Sequence, residues 1–300
     1  MVSAAATTAV TDAGRPGDRR PVTLDRRAFW RVVGRLVVLG ALVGLVVIVL
    51  YPMLWMGIGS LKTNTEILSD PFALPASADL SSYGRAIDRG VGTYFVNSVV
   101  VTTASVVFTT LLSAWAAYGL TRIAIPFSRT ILMVIVGGLM LAPTVAVIPL
   151  VKLLQSWGIY DTYWALILLY TAFRVPFTTF LIRSYMIDLP SSVDEAAFID
   201  GASRAQIFWR ITLPMCKPIL VSAVVLQILF AWNEFLFALI FVGTESLKTL
   251  PVGLATLSSR AVTDYPAVFA GMTIAAVPMI VLFFLSQKYF VRGLADGIGK

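Results

Sequence analysis

Six apolar stretches, each long enough to cross a bilayer, run through this sequence of 300 residues and decide what it can fold into. A helix of about 20 residues spans the hydrocarbon core of a membrane, and such a helix satisfies its own backbone hydrogen bonds. The predicted spans are residues 35–60, 94–121, 130–151, 160–182, 218–243 and 265–287.

The composition agrees with this pattern. Charged residues make up 13% of the chain, whereas soluble domains carry about 25%. The sequence contains no histidine and one cysteine, Cys216. It therefore lacks the commonest general base and the ligands for a cysteine-based metal cage or disulfide. We predict an all-α integral membrane protein that is not an enzyme and binds no metal or cofactor of its own.

The basic residues indicate the orientation of the chain. The net charge is +7, but seven of the 23 Lys and Arg residues precede the first span or stand at its first position. With that end inside, sixteen lie in inner segments, six in outer loops, and one, Arg174, within a span. Because cytoplasmic segments are enriched in Lys and Arg, both termini and the segment 189–214 are predicted to be cytoplasmic, and no nucleic-acid partner is expected.

The N-terminal region has two competing interpretations. Residues 1–30 are rich in small residues and arginine and are predicted to form a disordered, basic, cytoplasmic tail. The arginine pairs are also compatible with a secretory or twin-arginine signal. The apolar stretch that follows, residues 36–61, is much longer than a signal core of about 7–15 residues, which favours a retained helix.

The third span contains residues that interrupt helices. These are Gly137-Gly138, Pro143 and Pro149, and a proline removes a helical hydrogen bond and clashes with the preceding turn. In a membrane such breaks persist where other helices or a water-filled cavity satisfy the freed carbonyl groups. The third span is therefore predicted either to line a substrate path or to carry a packing kink.

Two ionisable residues, Arg174 and Glu234, fall within the fourth and fifth spans. A charge exposed to lipid near a helix centre costs about 2.5–3.5 kcal/mol, so both side chains must face a cavity or each other. Their depths are similar enough to permit a pair. The candidate substrate path is Arg174, Glu234, Asn233, Trp232 and Pro143; a polar clasp between helices is the alternative for Asn233 and Glu234.

The segment 189–214 is a polar insert between the fourth and fifth spans. The serines and acids of residues 191–195 form a capping-box pattern, and Ser203 with Gln206 forms a second one. Gly201 is the usual residue for the left-handed position that ends a helix. Pro214 is expected to end the second helix. The pattern predicts a compact helix–turn–helix that binds a partner protein, a plain connector being the alternative.

Several motifs in and around this segment resemble one family. Glu195-Ala196-Ala197 is followed by Gly201 and by Ile211-x-Leu213-Pro214. Matching runs are Phe180-Leu181-Ile182-Arg183, Ile199-Asp200-Gly201-Ala202-Ser203 and Trp232-Asn233-Glu234-Phe235-Leu236-Phe237-Ala238. Together they resemble the "EAA" loop and its flanks in the maltose-type, carbohydrate-uptake permeases of binding-protein-dependent ABC importers. The resemblance covers residues from about 30 to 300.

The resemblance implies a permease domain of residues 31–300, with six transmembrane helices and a cytoplasmic coupling helix between the fourth and fifth. The implied ATPase-coupling residues are Glu195, Ala196, Ala197, Asp200, Gly201, Leu213 and Pro214. Mg-ATP would be bound and hydrolysed by a dimer of separate ATPase subunits. The other implied partners are a second, homologous permease that forms a heterodimer, an extracytoplasmic solute-binding protein and membrane lipid.

The function implied by this resemblance is import of a di- or oligosaccharide across the bacterial cytoplasmic membrane by alternating access. Two alternatives stay open. One is import of a polyol or glycerophosphate-type solute by the same architecture, and the other is a proton-coupled secondary transporter.

Overall fold

The computed structural model describes residues 26–258 and 264–298, and the side chains of residues 33–258 and 264–287. Every regular element in these ranges is helical. The α-helices are α1 Arg26–Gly59, α2 Asn64–Ser69, α3 Ser81–Asp88, α4 Val91–Arg122, α5 Ser128–Gly137, α6 Pro143–Ser156, α7 Tyr163–Ile187, α8 Ser192–Ile199, α9 Arg204–Ile207, α10 Leu213–Met215, α11 Lys217–Trp232, α12 Leu236–Phe241, α13 Leu250–Ser258 and α14 Tyr265–Ile298.

The chain divides into two compact units, residues 1–53 and 54–300, and the boundary falls inside α1. In the first unit, large apolar side chains between Leu36 and Tyr51 are exposed on all sides of the helix. A helix that is apolar all round is suited to lipid or to another helix. Of the predicted disordered tail 1–30, residues 1–25 lie outside the described residues; residues 26–30 belong to α1 and are helical.

Four described helices are long and apolar enough to cross a membrane: α1 over Val33–Gly59, α4, α7, and α14 over Tyr265–Gln287. Two bent helix pairs raise the number to six if each pair is one span. The prediction of an all-helical multi-pass protein is confirmed.

The third predicted span is two helices rather than one. α5 and a short 3₁₀ turn end at Met140, and α6 begins at Pro143 at an angle of 99° to them. Pro143 occupies the first turn of α6, where its missing N–H costs nothing. The predicted interruption at Pro149 is wrong, because α6 continues through this residue.

The fifth predicted span, 218–243, is also discontinuous. α11 ends at Trp232, and a separate short helix, α12, begins at Leu236. At its other end α11 follows Arg204–Met215 with a bend of 77°. The continuous span predicted from the sequence was therefore wrong, because the chain leaves helical conformation at Asn233-Glu234-Phe235 between two apolar stretches.

The second unit is built around the long helices α4 and α7, which pack along each other. One buried cluster joins them to α6, α12 and α13 and contains Leu154, Leu166 and Phe241. A second cluster joins α3, α4, α13 and α14. A third, with Ile182 and Phe208, lies where α4 and α7 meet the segment 189–214.

Asp161 anchors the start of α7 to the end of α12. Its carboxylate accepts hydrogen bonds from the backbone N–H of Gly243 at 2.8 Å and from the N–H and hydroxyl of Thr244 at 3.1 and 2.6 Å. These bonds, chiefly those from Thr244, hold the pKa of Asp161 below its ordinary value. The clasp positions α12, which borders the cavity described next.

Candidate functional site

A cavity of about 360 Å³ lies where α4, α7 and α11 meet the break between α5 and α6. We call it the central cavity. Its lining residues are Ser105, Val106, Thr109, Gly138, Leu139, Leu141, Pro143, Thr144, Tyr170, Phe173, Arg174, Gln227, Phe230, Ala231, Glu234, Leu236 and Phe237. Three residues of the predicted path, Arg174, Glu234 and Pro143, are thus brought together, and the broken third span forms one wall.

Glu234 lies in the break between α11 and α12 and is held by three hydrogen bonds. Its Oε2 accepts from the Tyr170 hydroxyl at 2.7 Å and from the backbone N–H of Ala238 at 3.1 Å. Its Oε1 accepts from the N–H of Phe237 at 2.8 Å. The carboxylate therefore satisfies two orphan N–H groups in the first turn of α12 and ties that helix to α7.

Arg174 lies on the same cavity wall, one helical turn beyond Tyr170. Its guanidinium stacks on the ring of Phe230, with Cζ 3.6 Å from the ring centroid. A cation over an aromatic face in this geometry gains about 0.5–2 kcal/mol. In the described part of the chain no hydrogen bond or ion pair joins Arg174 to Glu234. The direct pair that their similar depths permit is not formed, because the Glu234 oxygens face α12 and Tyr170.

Two other residues of the predicted path lie outside the central cavity. Trp232 is buried against α14, where its Nε1–H donates to the carbonyl of Ala275 at 3.2 Å. Asn233 is exposed, and its amide donates back to the carbonyl of Leu229 at 2.7 Å. Trp232 is the last residue of α11, and Asn233 and Glu234 lie in the break that follows, so the three side chains point in different directions.

Three lining residues that the sequence reasoning missed are Tyr170, Gln227 and Phe230. Tyr170 lies four residues before Arg174, and Phe230 lies four residues before Glu234. Residues four apart share a helix face, so Arg174 predicts Tyr170 as its neighbour on α7, whereas the rule does not reach from Phe230 to Glu234, which lies beyond the end of α11. The structure pairs them crosswise, Tyr170 with Glu234 and Phe230 with Arg174.

The segment 189–214 folds into α8, a turn, and a second helical stretch. α8 ends in a Schellman motif: the N–H of Ala202 donates to the carbonyl of Ala197, and that of Gly201 donates to Phe198. Gly201 has φ +85°, the left-handed conformation predicted for it. The predicted cap at the start of α8 is wrong, since Ser191 is itself helical and its side chain makes no capping bond there.

The predicted ATPase-coupling residues lie on α8 and at the end of the segment. Glu195, Ala196, Asp200 and Gly201 are exposed, and Ala197 is partly buried. Two apolar neighbours on α8, Phe198 and Ile199, are 60% and 84% exposed. Leu213 and Pro214 belong to α10, with Leu213 partly buried and Pro214 exposed. α8 thus presents both polar and large apolar groups on an open surface.

α8 is fixed to the end of α4 by an ion pair. Arg122 Nε lies 3.0 Å from Asp194 Oδ2, and both side chains are largely buried. The Arg122 guanidinium also donates to the carbonyl of Leu189 at 2.8 Å, and the Thr212 hydroxyl donates to Asp194 at 3.2 Å. Both ends of the segment are therefore attached to one membrane-spanning helix.

The second helical stretch begins at the predicted capping box of Ser203 and Gln206, which is confirmed. It continues through a π-helical turn, Phe208–Thr212, into α10. Pro214 does not end it as predicted, because the stretch runs on to Met215. A proline is tolerated at this place since the π turn already shifts the hydrogen-bond register before it.

These features define a multi-pass helical membrane protein with a central cavity and a structured hairpin attached to a spanning helix. Residues 110–296 match the family model described as the binding-protein-dependent transport system inner membrane component, and the chain belongs to this family. The resemblance seen in the sequence motifs is thereby confirmed.

Two relatives and one solved structure illustrate the similarity. The chain is 46% identical over 250 residues to the probable ABC transporter permease protein YurM of Bacillus subtilis, covering 83% of each chain. It is 36% identical over 254 residues to the diacetylchitobiose uptake system permease protein NgcG of Streptomyces coelicolor, covering 84% of each. A bacterial ABC transporter involved in alginate import has the same fold, with a TM-score of 0.75, 24% identity, and coverage of 87% of this chain and 97% of that one.

Proposed function

We propose that this chain is a permease subunit of an ATP-driven importer that carries a di- or oligosaccharide across the bacterial cytoplasmic membrane. Family membership supports the transport role, and the printed names of the relatives, among them a diacetylchitobiose uptake permease, support the carbohydrate. The excess of Lys and Arg in the inner segments supports cytoplasmic termini and a cytoplasmic 189–214 segment.

The observation that carries the proposal is the construction of α8. A helix of eight residues closed by a Schellman motif is rigid, and it leaves Phe198 and Ile199 exposed to an extent that a mere connector does not require. The Arg122–Asp194 pair couples this helix mechanically to α4. A protein that binds α8 and moves can therefore pull directly on a spanning helix.

The proposed mechanism assigns that role to a dimer of ATPase subunits. Their closure on Mg-ATP would displace α8 in this chain and the corresponding helix in a second, homologous permease. The displacement would turn the central cavity from one side of the membrane to the other, and an extracytoplasmic solute-binding protein would deliver the substrate. In this mechanism the chain supplies the substrate path and the helix that the ATPase displaces, and the partner subunits hydrolyse ATP.

The proposal is tested with the double variant Phe198→Ser/Ile199→Ser in the complex reconstituted with its ATPase, second permease and binding protein. Exposed substitutions change folding stability by roughly 0.5 kcal/mol or less, so membrane insertion should be normal. We expect loss of ATPase co-purification and of ATP-driven uptake. Leu74→Ser, which alters a side chain 78% exposed in another loop, is the matched control. Unchanged ATPase binding and uptake in the double variant would refute the proposal.

The alternatives make different predictions. A polyol or glycerophosphate importer would share the behaviour of α8 and differ only in the solute retained by the binding protein. A proton-coupled transporter would take up solute after ATP depletion and stop on addition of a protonophore. Its proton relay would run through Glu234 and Arg174, whereas the Glu234 carboxylate accepts three hydrogen bonds that tie α12 to α7.

A further inference from the structure

The central cavity contains one charged group whose hydrogen-bonding capacity is unused. Within the described residues, the Arg174 guanidinium stacks on the face of Phe230 and is attracted by the charge of Glu234, but no hydrogen bond of its side chain is formed. An arginine side chain carries five N–H donors in a planar fork, and stacking occupies the face of that plane while leaving its edge available. The donors of Arg174 therefore remain open toward the cavity that the residue lines.

The nearest opposite charge on the cavity wall does not use these donors. The oxygens of Glu234 are bonded to Tyr170 and to the first turn of α12. Turning the carboxylate toward Arg174 would leave two backbone N–H groups of α12 without a partner, which is unfavourable in a buried site. Glu234 is thus a structural anchor, and Arg174 is left as the cation that faces the substrate space.

The rest of the lining offers neutral polar groups. Ser105, Thr109, Thr144 and Gln227 border the same cavity, and hydroxyl and amide groups of this kind hydrogen-bond sugar hydroxyls. The volume of about 360 Å³ lies within the range of small-molecule sites, roughly 300–1,000 Å³. A carbohydrate with only hydroxyl groups would match this lining but would leave the Arg174 fork without a hydrogen-bonded anion, because Glu234 acts on it only through its charge.

We propose that Arg174 binds an anionic group of the transported carbohydrate, so that the substrate class is an acidic glycoside such as a uronate. This inference rests on the proposed function and narrows it from carbohydrates in general. A guanidinium binds a carboxylate through two parallel N–H···O bonds, which fixes orientation as well as charge. The ring of Phe230 holds the fork in place beneath the bound group, which reduces the side-chain freedom lost on binding.

The test measures equilibrium binding of two radiolabelled probes, digalacturonate and galactobiose, to the complex of permeases and ATPases in nanodiscs without the binding protein. The probes share ring geometry and linkage and differ in the carboxylates. We expect digalacturonate to bind at least about tenfold more tightly, as one charge-assisted pair provides. In Arg174→Gln the preference for digalacturonate over galactobiose should vanish, and Arg174→Lys should retain part of it.

The matched control is Arg129→Gln, which removes the same charge from an exposed position outside the cavity. It should leave the preference intact. Equal affinity of the wild type for both probes overturns this inference and leaves the proposed function standing. A preference for digalacturonate that persists in Arg174→Gln also overturns it, because another group then recognises the carboxylates. The proposed function fails on a different result, unchanged ATPase binding and uptake in Phe198→Ser/Ile199→Ser.

Discussion

The end of α8 gives the sharpest prediction, because a substitution at Gly201 tests one backbone conformation without altering any side-chain contact. Gly201 adopts φ +85°, and a Cβ built there meets no atom within 4 Å. Gly201→Ala is therefore disfavoured by backbone conformation alone, at about 1–2 kcal/mol for an L-residue in the left-handed region. Asparagine tolerates this region far better than alanine, so Gly201→Asn should destabilise the end of α8 much less than Gly201→Ala does.

Hydrogen exchange measures this cost directly. The N–H groups of Gly201 and Ala202 close the Schellman motif, and a cost of 1–2 kcal/mol corresponds to exchange roughly 5–30 times faster. We expect this acceleration in Gly201→Ala and a clearly smaller one in Gly201→Asn. Equal exchange in the wild type and in Gly201→Ala would show that the motif does not depend on glycine and would refute the reasoning.

Uptake assays on the same variants separate conformation from partner contact. If the ATPase recognises the shape of α8, uptake should be highest in the wild type, lower in Gly201→Asn and lowest in Gly201→Ala. Gly201→Leu should insert into the membrane normally and abolish ATP-driven uptake. Gly201→Asn could instead lose uptake while its hydrogen exchange stays at the wild-type rate. That result would mean that Gly201 is needed to leave space for the partner protein. Unchanged uptake in Gly201→Leu would mean that α8 is not the coupling element.

Three further variants test other parts of the structure. Asp194→Asn leaves the largely buried Arg122 without its anion. Removing one partner of a buried ion pair costs about 3 kcal/mol, so hydrogen exchange in the segment 189–214 should become roughly 100-fold faster. Gly253→Ala places a Cβ 2.1 Å from the ring of Tyr94, and overpacking of about 1–3 kcal/mol should lower the melting temperature of the purified protein. For Asp161, whose pKa is lowered chiefly by the hydrogen bonds from Thr244, the bonds are complete at neutral pH and are lost as the pH falls through that lowered pKa. Asp161→Asn should therefore exchange faster than wild type in residues 243–244 at pH 7, and the difference should shrink as the pH falls toward the lowered pKa.

Each of these variants has a control within the chain. Asp188→Asn alters an exposed acid next to the same segment and should leave its exchange unchanged. Gly84→Ala adds a Cβ in open space on α3 and should not destabilise the protein. For Asp161, the convergence at low pH is itself the control, and a difference that persists there would point to a cause other than its charge. A melting temperature in Gly253→Ala equal to the wild type would contradict the close packing of α13 on Tyr94.

The sequence predicted the elements whose signals are local. The spans at α4 and α7 were found from apolar length alone, the box of Ser203 and Gln206 from its spacing, and the left-handed Gly201 from its place after α8. In each case propensity and tertiary structure favour the same conformation. The predicted cap at Ser191 fails because the backbone of this residue is already in the right-handed helical conformation and its side chain makes no capping hydrogen bond.

The cavity could be predicted only in part. Arg174 and Glu234 were found because a charge in an apolar span demands an explanation, and Pro143 because proline marks a break. Their arrangement depends on the gap between α11 and α12, which turns Trp232 and Asn233 away from Glu234. The apolar residues on either side of this gap contain no sequence signal that predicts it. The carboxylate that stabilises the new helix start is the one local sign of it.

The two sites share one helix. α4 carries Ser105 and Thr109 at the central cavity and Arg122 at the ion pair with Asp194. Thr109 and Arg122 are separated by about 20 Å along the helix axis at 1.5 Å per residue. In the mechanism proposed above, a pull on α8 would therefore reach the cavity wall through α4. Another wall lies at the break between α5 and α6, where residues 141–142 are outside regular helix, and we expect this wall to yield more readily than α4 does.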